Sequence, residues 1–507
     1  MIFKPVSSLT REEKAFFIEK VGVYSRLLEL HAKSKGASFA MDKTIDKSVL
    51  DELMNIGVIS TDEEVYALRK VLGEDKYKDF ISAVVYFLDN KEEAEPIVFR
   101  LRNKSRKVLQ EASEQRSAIN VADFFCGAGG LSLGFSKAGY RIVFANDFQK
   151  ICTETYIYNH PEIPSSKVFT GDIKDIIVDI KDYVKDDVDM VIGGPPCQSF
   201  SSANQRRVID DPRNILYKYY IEAVRQLCPK FVLMENVKGM LKVANEVVED
   251  YHNIRAFRDG KEYRYNVSYR LFNSVNFGVA QSRERLIYLA VRDDIEKKNG
   301  ITPESLFEEI EDSCKGNTVF NLQSALEFIK PLEAPRVKGQ TEVNDERTGM
   351  KIDLNHYDSC GNEYLKSIND GKQMEFVFNH KARYCSDVNY EIFKRLGQGE
   401  DSTNPKIADI MPYSRRNGIF KDKYYKLIAD RPCRTITAHL KMDCLSHIHP
   451  YQIRSITPRE AARIQSFPDD YLFLGAYLKT YMEIGNAVPV LMAEQISKVI
   501  KKHFDKK

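Results

Sequence analysis

Residues 188–196 read VDMVIGGPP, and no other stretch constrains the fold as much. A short apolar run, Val188 to Ile192, has the make-up of a strand buried on both faces, as in a parallel sheet covered by helices on either side. The run breaks at Gly193-Gly194-Pro195-Pro196, so the next side chain, Cys197, falls in the loop beyond the strand's carboxyl end. Open α/β sheets bind their ligands there. The two prolines remove two backbone donors and fix φ, which stiffens the approach to Cys197. Taken alone, such a cysteine is either a small buried hydrophobe or a nucleophile, and the rest of the chain must decide.

Upstream, INVADFFCGAGGLSLGFSKAGY (119–140) reads as strand, glycine-rich turn and helix. Glycines at a helix N-terminus let backbone N–H groups approach a polar or anionic ligand. The spacing is Gly127, Gly129, Gly130, with Ser132 in the third slot of the dinucleotide fingerprint, which departs from the nicotinamide pattern. The second strand, RIVFAND, ends in Asp147 followed by Phe148. An acid at that distance from the turn can accept from ribose hydroxyls, and an adjacent ring can stack on a purine. Asp147, and Asp172 in TGDI, can equally be ordinary caps.

A further strand, KFVLMENV, delivers Glu235 and Asn236 to the same rim as Cys197. A charged carboxylate beside a thiol disfavours the thiolate, so the pairing makes sense if the acid is protonated or serves the substrate. In NSVNFGVAQSRERLIYLAVR, Arg283 and Arg285 alternate with Ser282 and Glu284 and are expected on one strand face. They could grip a carbonyl and a phosphate, or form an edge-strand salt bridge. SITPREAARIQSFPDDYLF carries a helix with Thr457 as N-cap, Pro458 at the first position and Glu460 at the third, ended before Pro468, and it reads as a structural brace.

At 507 residues the chain exceeds one typical domain, and its net charge of +2 gives no global signature of a polyanion partner. Nine scattered cysteines without a CxxC pair point away from a disulfide framework or a zinc site, and no metal ligand set is assigned. The N-terminus has no signal-like apolar core and no run approaches membrane-span length. A soluble, reducing, cytoplasmic setting is expected, with no membrane role.

Residues 1–117 read as a helical N-terminal extension. Thr10 and Glu13 form a capping box ahead of a stripe of Phe16, Phe17, Val21, Tyr24, Leu27 and Leu28, with further helices over 47–56, 61–72 and 77–88. Residues 1–118 hold 20 basic and 20 acidic residues, so a small helical domain packing on the rest is expected before a DNA-reading one. The streak FRLRNKSRK (99–107) reads as a solvated linker face or a phosphate contact. Residues 118–295 read as the catalytic and cofactor-binding domain, 296–445 as a smaller inserted domain, and 446–507 as a return to the catalytic domain.

Between Arg415 and Arg434 there are seven basic residues against two acids, interleaved with Phe420, Tyr424 and Tyr425. Asn417-Gly418 signals a two-residue hairpin. RRNGIFKDKYYK, with Arg415, Arg416, Lys421 and Lys423, therefore reads as a hairpin that either presents cations to nucleic acid or is simply solvated. The polar segment after Cys197, with Gln205, Arg206 and Arg207, reads as a mobile arm able to close on a polyanion, or as a surface loop.

Six blocks in this order, VADFFCGAGG, VIGGPPCQSFS, MENVKG, QSRER, TPREAARIQSFPD and GNAVP, resemble the DNA (cytosine-5) methyltransferases. The resemblance spans about Val121 to Lys502 apart from a variable insert, residues 295 to about 430, and says nothing about the first 120 residues. It implies a doubly wound, mostly parallel α/β sheet of the Rossmann-like S-adenosylmethionine-dependent kind, with an inserted target-recognition domain. It places S-adenosylmethionine against Phe125, Gly127 and Gly129 at the methionine end, Asp147 on the ribose, Phe148 on the adenine and Asp172 near its amino group, with Pro196, Asn486 and Ala487 completing the pocket. The family more often carries Glu at the position of Asp147, Trp or an aliphatic residue at that of Phe148, and in some members Ser at that of Ala487.

The resemblance further implies Cys197 as the nucleophile that adds to C6 of cytosine and Glu235 as the acid at N3. Arg283 and Arg285 would hold the base carbonyl and a flanking phosphate, and Thr435-Ile436, in RPCRTITAH, would approach the bases. The base must leave the stack for C6 to be reached. The partner implied is double-stranded DNA, modified by a monomer, commonly beside a restriction endonuclease. Two other readings share the blocks: a transfer-RNA cytosine-5 methyltransferase of the DNA-enzyme-like type, and a non-catalytic DNA-binding regulator. The intact Cys197 and Glu235 weigh against the regulator, and the long basic insert against the RNA enzyme.

Overall fold

The computed structural model of the protein describes residues 1–37, 39, 45–116, 118–196, 216–340, 343–412 and 423–504. Eleven strands are formed among them: β1 Asn120–Phe124, β2 Arg141–Asp147, β3 Val168–Thr170, β4 Met190–Gly193, β5 Phe231–Val237, β6 Ala256–Arg258, β7 Lys261–Tyr263, β8 Tyr265–Asn273, β9 Glu284–Arg292, β10 Gly349–Leu354 and β11 Phe376–Lys381. Seven make one sheet in the order β3-β2-β1-β4-β5-β9-β8, parallel from β3 to β5, with β9 antiparallel to both its neighbours. The expected doubly wound, mostly parallel sheet is what forms.

Alternation along the strands explains the two-sided burial. Val121, Ile142, Met190, Ile192, Leu233, Ile287 and Leu289 point into one core. Ala122, Phe124, Val143, Val191, Val232, Met234 and Tyr288 point into the other. A period of two with apolar residues in both phases is the pattern of a strand covered on both sides. Each fully buried aliphatic side chain contributes roughly 1.5–3 kcal/mol. Helices Gly130–Lys137 and Val490–Lys501 cover the first face and Leu216–Leu227 and Ala244–His252 the second.

The helix Pro303–Cys314, assigned from sequence to the insert, buries Leu306, Phe307 and Ile310 in the same core as Ile287 and Leu289. A helix with that apolar stripe has to bury it, and here the catalytic sheet does so.

The N-terminal extension is helical, led by Glu13–Ser34, where the Thr10 N–H donates to Glu13 Oε2 (2.9 Å) in the expected box. The predicted helix 61–72 opens instead as a 3₁₀ turn, Asp62–Glu64, before Val65–Leu72. The extension packs on more than the catalytic domain. Phe17, Val21, Tyr24 and Leu28 share one core with Ile352, Phe376 and Phe378 of the β10–β11 pair and with Leu472 and Leu474. The arginines of the 99–107 streak are turned inward, while Lys104 and Lys107 are exposed, so only part of the streak is solvated. Arg102 pairs with Glu52 (2.6 Å), Arg100 with Asp470 (2.8 Å), and Arg106 donates to the carbonyl of Ile157 (2.7 Å).

Candidate active site

Strand order reverses between β1 and β4, so the chain leaves both strands at their carboxyl ends into one crevice, with Phe124 opposite Gly193. Gly193 has to be glycine: a Cβ there would lie 2.2 Å from the Phe124 carbonyl oxygen. Beyond β1 the turn is held in left-handed conformations at Phe125 (φ 60°), Gly127 (53°) and Gly129 (92°). A non-glycine residue such as Phe125 adopts that region only when its surroundings fix it. Here the Cys126 N–H bonds the Asn146 carbonyl (2.9 Å) and the Gly129 N–H bonds that of Cys126 (2.9 Å).

Asp147, at the end of β2, organises the turn. Its carboxylate accepts from the N–H of Gly127 (3.0 Å) and of Gln149 (2.8 Å). Burial pushes its pKa up and the two amides oppose the rise. Two carboxylate oxygens offer about four acceptor sites, so the cap uses half of them. Beside it the Phe148 ring is 72% exposed, and no described atom lies within 4 Å of where a Gly127 Cβ would be. Asp172 follows β3 and caps the next turn, accepting from the Lys174 N–H (3.1 Å). The last sequence block closes the ring: a Cβ on Gly130 would meet the Val488 carbonyl at 2.7 Å and Ala487 Cβ at 3.2 Å, while Asn486 next to it is exposed.

Beneath the turn lies a group that sequence reasoning passed over. Asp123, fully buried in β1, accepts from the Ser132 hydroxyl (2.6 Å), which accepts in turn from Tyr156 (2.8 Å). Burial raises its carboxyl pKa to about 7. The available signal was an acid in mid-strand between apolar residues. Asn146, also missed, fastens β2 to β3 and the loop after it through the carbonyls of Phe169 (3.2 Å) and Gly171 (2.9 Å).

On the other side of β4, the loop toward Cys197 is tied to the end of β5. Asn236 donates to the Pro195 carbonyl (3.0 Å), and a Cβ on Gly194 would sit 3.0 Å from Glu235 Oε2. Arg285 Nε donates to Glu235 Oε1 (2.8 Å), with both side chains largely buried. The chain thus brings Pro196, Glu235 and Arg285 to one rim, while Cys197 itself lies outside the described residues.

Arg283 is placed differently from Arg285. It precedes β9, is 1% exposed, and donates to the carbonyls of Ile436 (2.6 Å), Gly485 (2.9 Å) and Ala487 (3.1 Å). Of the residues expected to meet nucleic acid, Gln205, Arg206, Arg207, Arg415, Arg416 and Lys421 lie outside the described residues. Lys423 pairs with Asp443 (3.0 Å). Thr435 is half-buried and donates to the Ser282 carbonyl (3.0 Å). Ile436 is fully buried, so within that dipeptide only Thr435 reaches the surface.

A doubly wound sheet with a glycine-rich turn after β1, an acid closing β2 and its crevice at the β1/β4 switch defines a Rossmann-like methyltransferase fold. The profile of the C-5 cytosine-specific DNA methylases matches residues 119–502, and the chain belongs to that family of DNA (cytosine-5) methyltransferases. It is 31% identical over 404 residues to the type II methyltransferase M.DdeI of Desulfomicrobium norvegicum, covering 76% of this chain and 89% of that one. To M.AgeI of Thalassovita gelatinovora it is 30% identical over 433 residues, covering 76% and 99%. Among solved structures, a prophage-encoded E. coli protein described as a DNA modification methyltransferase superposes with a TM-score of 0.57 at 23% identity, over 77% of this chain and all of that one.

Proposed function

We propose that the protein transfers a methyl group from S-adenosylmethionine to C5 of cytosine within a specific short sequence of duplex DNA. The observation that carries this reading is the meeting, at one switch point, of the Asp147-bound glycine turn with the rim bearing Glu235 and Arg285. The crevice fits the cofactor: the space beside Gly127, the spare acceptor sites of Asp147 and the exposed Phe148 ring suit a methionine chain, a ribose and a purine. Phe125, Gly129, Asp172, Pro196, Asn486 and Ala487 line the rest. When bound, S-adenosylmethionine supplies an electrophilic methyl group on a sulfonium.

C5 of cytosine is a weak nucleophile until C6 is attacked. The Cys197 thiolate forms a bond to C6, and the ring electrons move toward N3, where Glu235 holds the proton that offsets them. C5 then takes the methyl group. Loss of the C5 proton to a base and cleavage of the C6–sulfur bond restore the ring and the thiolate. Arg285, fixed by Glu235, reaches the base carbonyl. Flipping the base out costs a few kcal/mol, offset by contacts from the 205–207 and 415–423 segments with the backbone. The type II names of the similar proteins support a protective role beside a restriction endonuclease.

Transfer of labelled methyl to unmodified duplex DNA and, in parallel, to bulk transfer RNA tests the reading, with Cys197→Ser as control. Label on DNA as 5-methylcytosine, abolished by the substitution, is expected. Label on RNA alone would move the assignment to an RNA enzyme, and label on neither would remove it.

A further inference from the structure

Arg283 is the hub of a buried polar network that no single strand or helix requires. Its Nη1 donates to the Ile436 carbonyl and its Nη2 to those of Gly485 and Ala487. Four further bonds stitch the same segments. The Cys433 N–H meets the Ala280 carbonyl (2.9 Å) and the Ser282 N–H the Cys433 carbonyl (2.8 Å). Gln281 Oε1 accepts from the Ile436 N–H (2.7 Å), and Thr435 Oγ1 donates to the Ser282 carbonyl (3.0 Å). Gln281 Nε2 in turn bonds Gln465 (2.8 Å), whose own amide donates to the carbonyls of Ile484 (2.9 Å) and Ala487 (3.3 Å).

The backbones are in direct contact as well. A Cβ on Gly485 would lie 2.2 Å from Ala438 N and from Thr437 C. The segment 484–487 also touches the glycine turn, through Ala487 against Gly130. Two residues beyond Arg283 on the same chain, Arg285 holds Glu235.

From this geometry we propose that Arg283 is a positioning residue that couples occupancy of the methyl-donor pocket to the placement of the base-facing segment 433–438. The inference rests on the proposed methyl transfer to DNA and deepens it. With 1% exposure and its Nη groups donating to three carbonyls, Arg283 is closed off from the surface where a base or a phosphate would arrive, and its Nε is buried without a partner. A planar fork holds the carbonyls of two loops in fixed directions at once, whereas an ammonium group is a point charge on a flexible stem and fixes neither loop's direction. A ligand that settles the 485–487 backbone therefore settles Ile436 through the same guanidinium, and by linkage DNA that settles Ile436 tightens the donor pocket by the same factor.

The test is equilibrium binding of a duplex containing the mapped target to the full chain, with and without S-adenosylhomocysteine. In the wild type the cofactor product should tighten DNA binding, by roughly tenfold. In Arg283→Lys that enhancement should fall to less than about twofold. A substrate-contacting Arg283 would give the opposite result, weaker DNA binding with the enhancement intact, and would overturn the proposal.

Amide hydrogen exchange on the wild type needs no variant. S-adenosylhomocysteine should slow exchange at 433–438, the Ile436 N–H included, and leave the helix Pro303–Cys314 unchanged. No change at 433–438 would overturn the coupling even if Arg283→Lys did not fold. A wild type that binds both ligands without enhancement sinks this inference alone, while one that binds neither sinks the proposed function and the inference with it.

Discussion

Asp123 is the residue whose chemistry most directly exposes the tension in this site. A carboxyl group at 0% exposure, with one hydroxyl donor, holds its proton to about pH 7, whereas in the unfolded chain it ionises near 3.9. The sign follows. Below about pH 4 both states are protonated and the group is neutral to stability. As pH rises toward 7 the unfolded chain loses its proton first, so the folded state becomes progressively less favoured, and above that the penalty levels off. Asp123→Asn keeps an acceptor for Ser132 and removes the titration. Thermal melts should show the variant gaining on the wild type between pH 5 and pH 8, by an amount of order 3 kcal/mol. A difference that stays flat with pH would contradict the assignment.

At the scale of elements, the local signals were legible and the long-range ones were not. The strand through Val191, the helix Lys47–Ile56 and the Thr457–Glu460 capping box follow from periodicity and cap chemistry within a few residues, and each forms where that chemistry put it. Arg283 and Arg285 show the limit. Alternation predicts one shared face, but β9 begins at Glu284, and Arg283 turns to carbonyls about 150 and 200 positions away. Arg100, Arg102 and Arg106 mislead in the same way, because a buried arginine and a solvated one look alike until the distant partner is known.

Contacts between elements also make a prediction. The Gly485 backbone lies against the Thr437–Ala438 peptide, so Gly485→Ala forces apart two segments that Arg283 bridges. The expected loss of stability is about 1–3 kcal/mol, read as a lower denaturant midpoint. An unchanged midpoint would mean that the segments are not in register as described.

For the molecule as a whole, the N-terminal extension is a strut across two regions. Lys20 pairs with Glu154 (3.0 Å) in the catalytic domain, and Arg26 reaches the Ile352 carbonyl (3.4 Å) and His31 meets Glu375 (2.9 Å) in the insert. The methylase profile begins only at residue 119, so nothing in the family resemblance could have supplied this role. Deleting residues 1–116 would uncover Phe376, Phe378, Leu472 and Leu474, an apolar patch of the kind that drives association. The truncated chain should bind a hydrophobic dye and aggregate on mild heating, and a monodisperse product with the full-length melting temperature would contradict the strut.

The proposed reaction passes through a bond from Cys197 to C6 of a flipped cytosine, and a substrate that arrests the cycle tests for that bond. With 5-fluorocytosine at the mapped target position, C5 carries no proton to lose after methylation, so the C6–sulfur bond cannot break. Incubation with this duplex and S-adenosylmethionine, followed by denaturing separation and peptide mass spectrometry, should yield a covalent protein–DNA species carrying the methyl group and the nucleotide on Cys197, absent in Cys197→Ser. Methylation of ordinary DNA without such an adduct, or an adduct on another residue, would contradict the account.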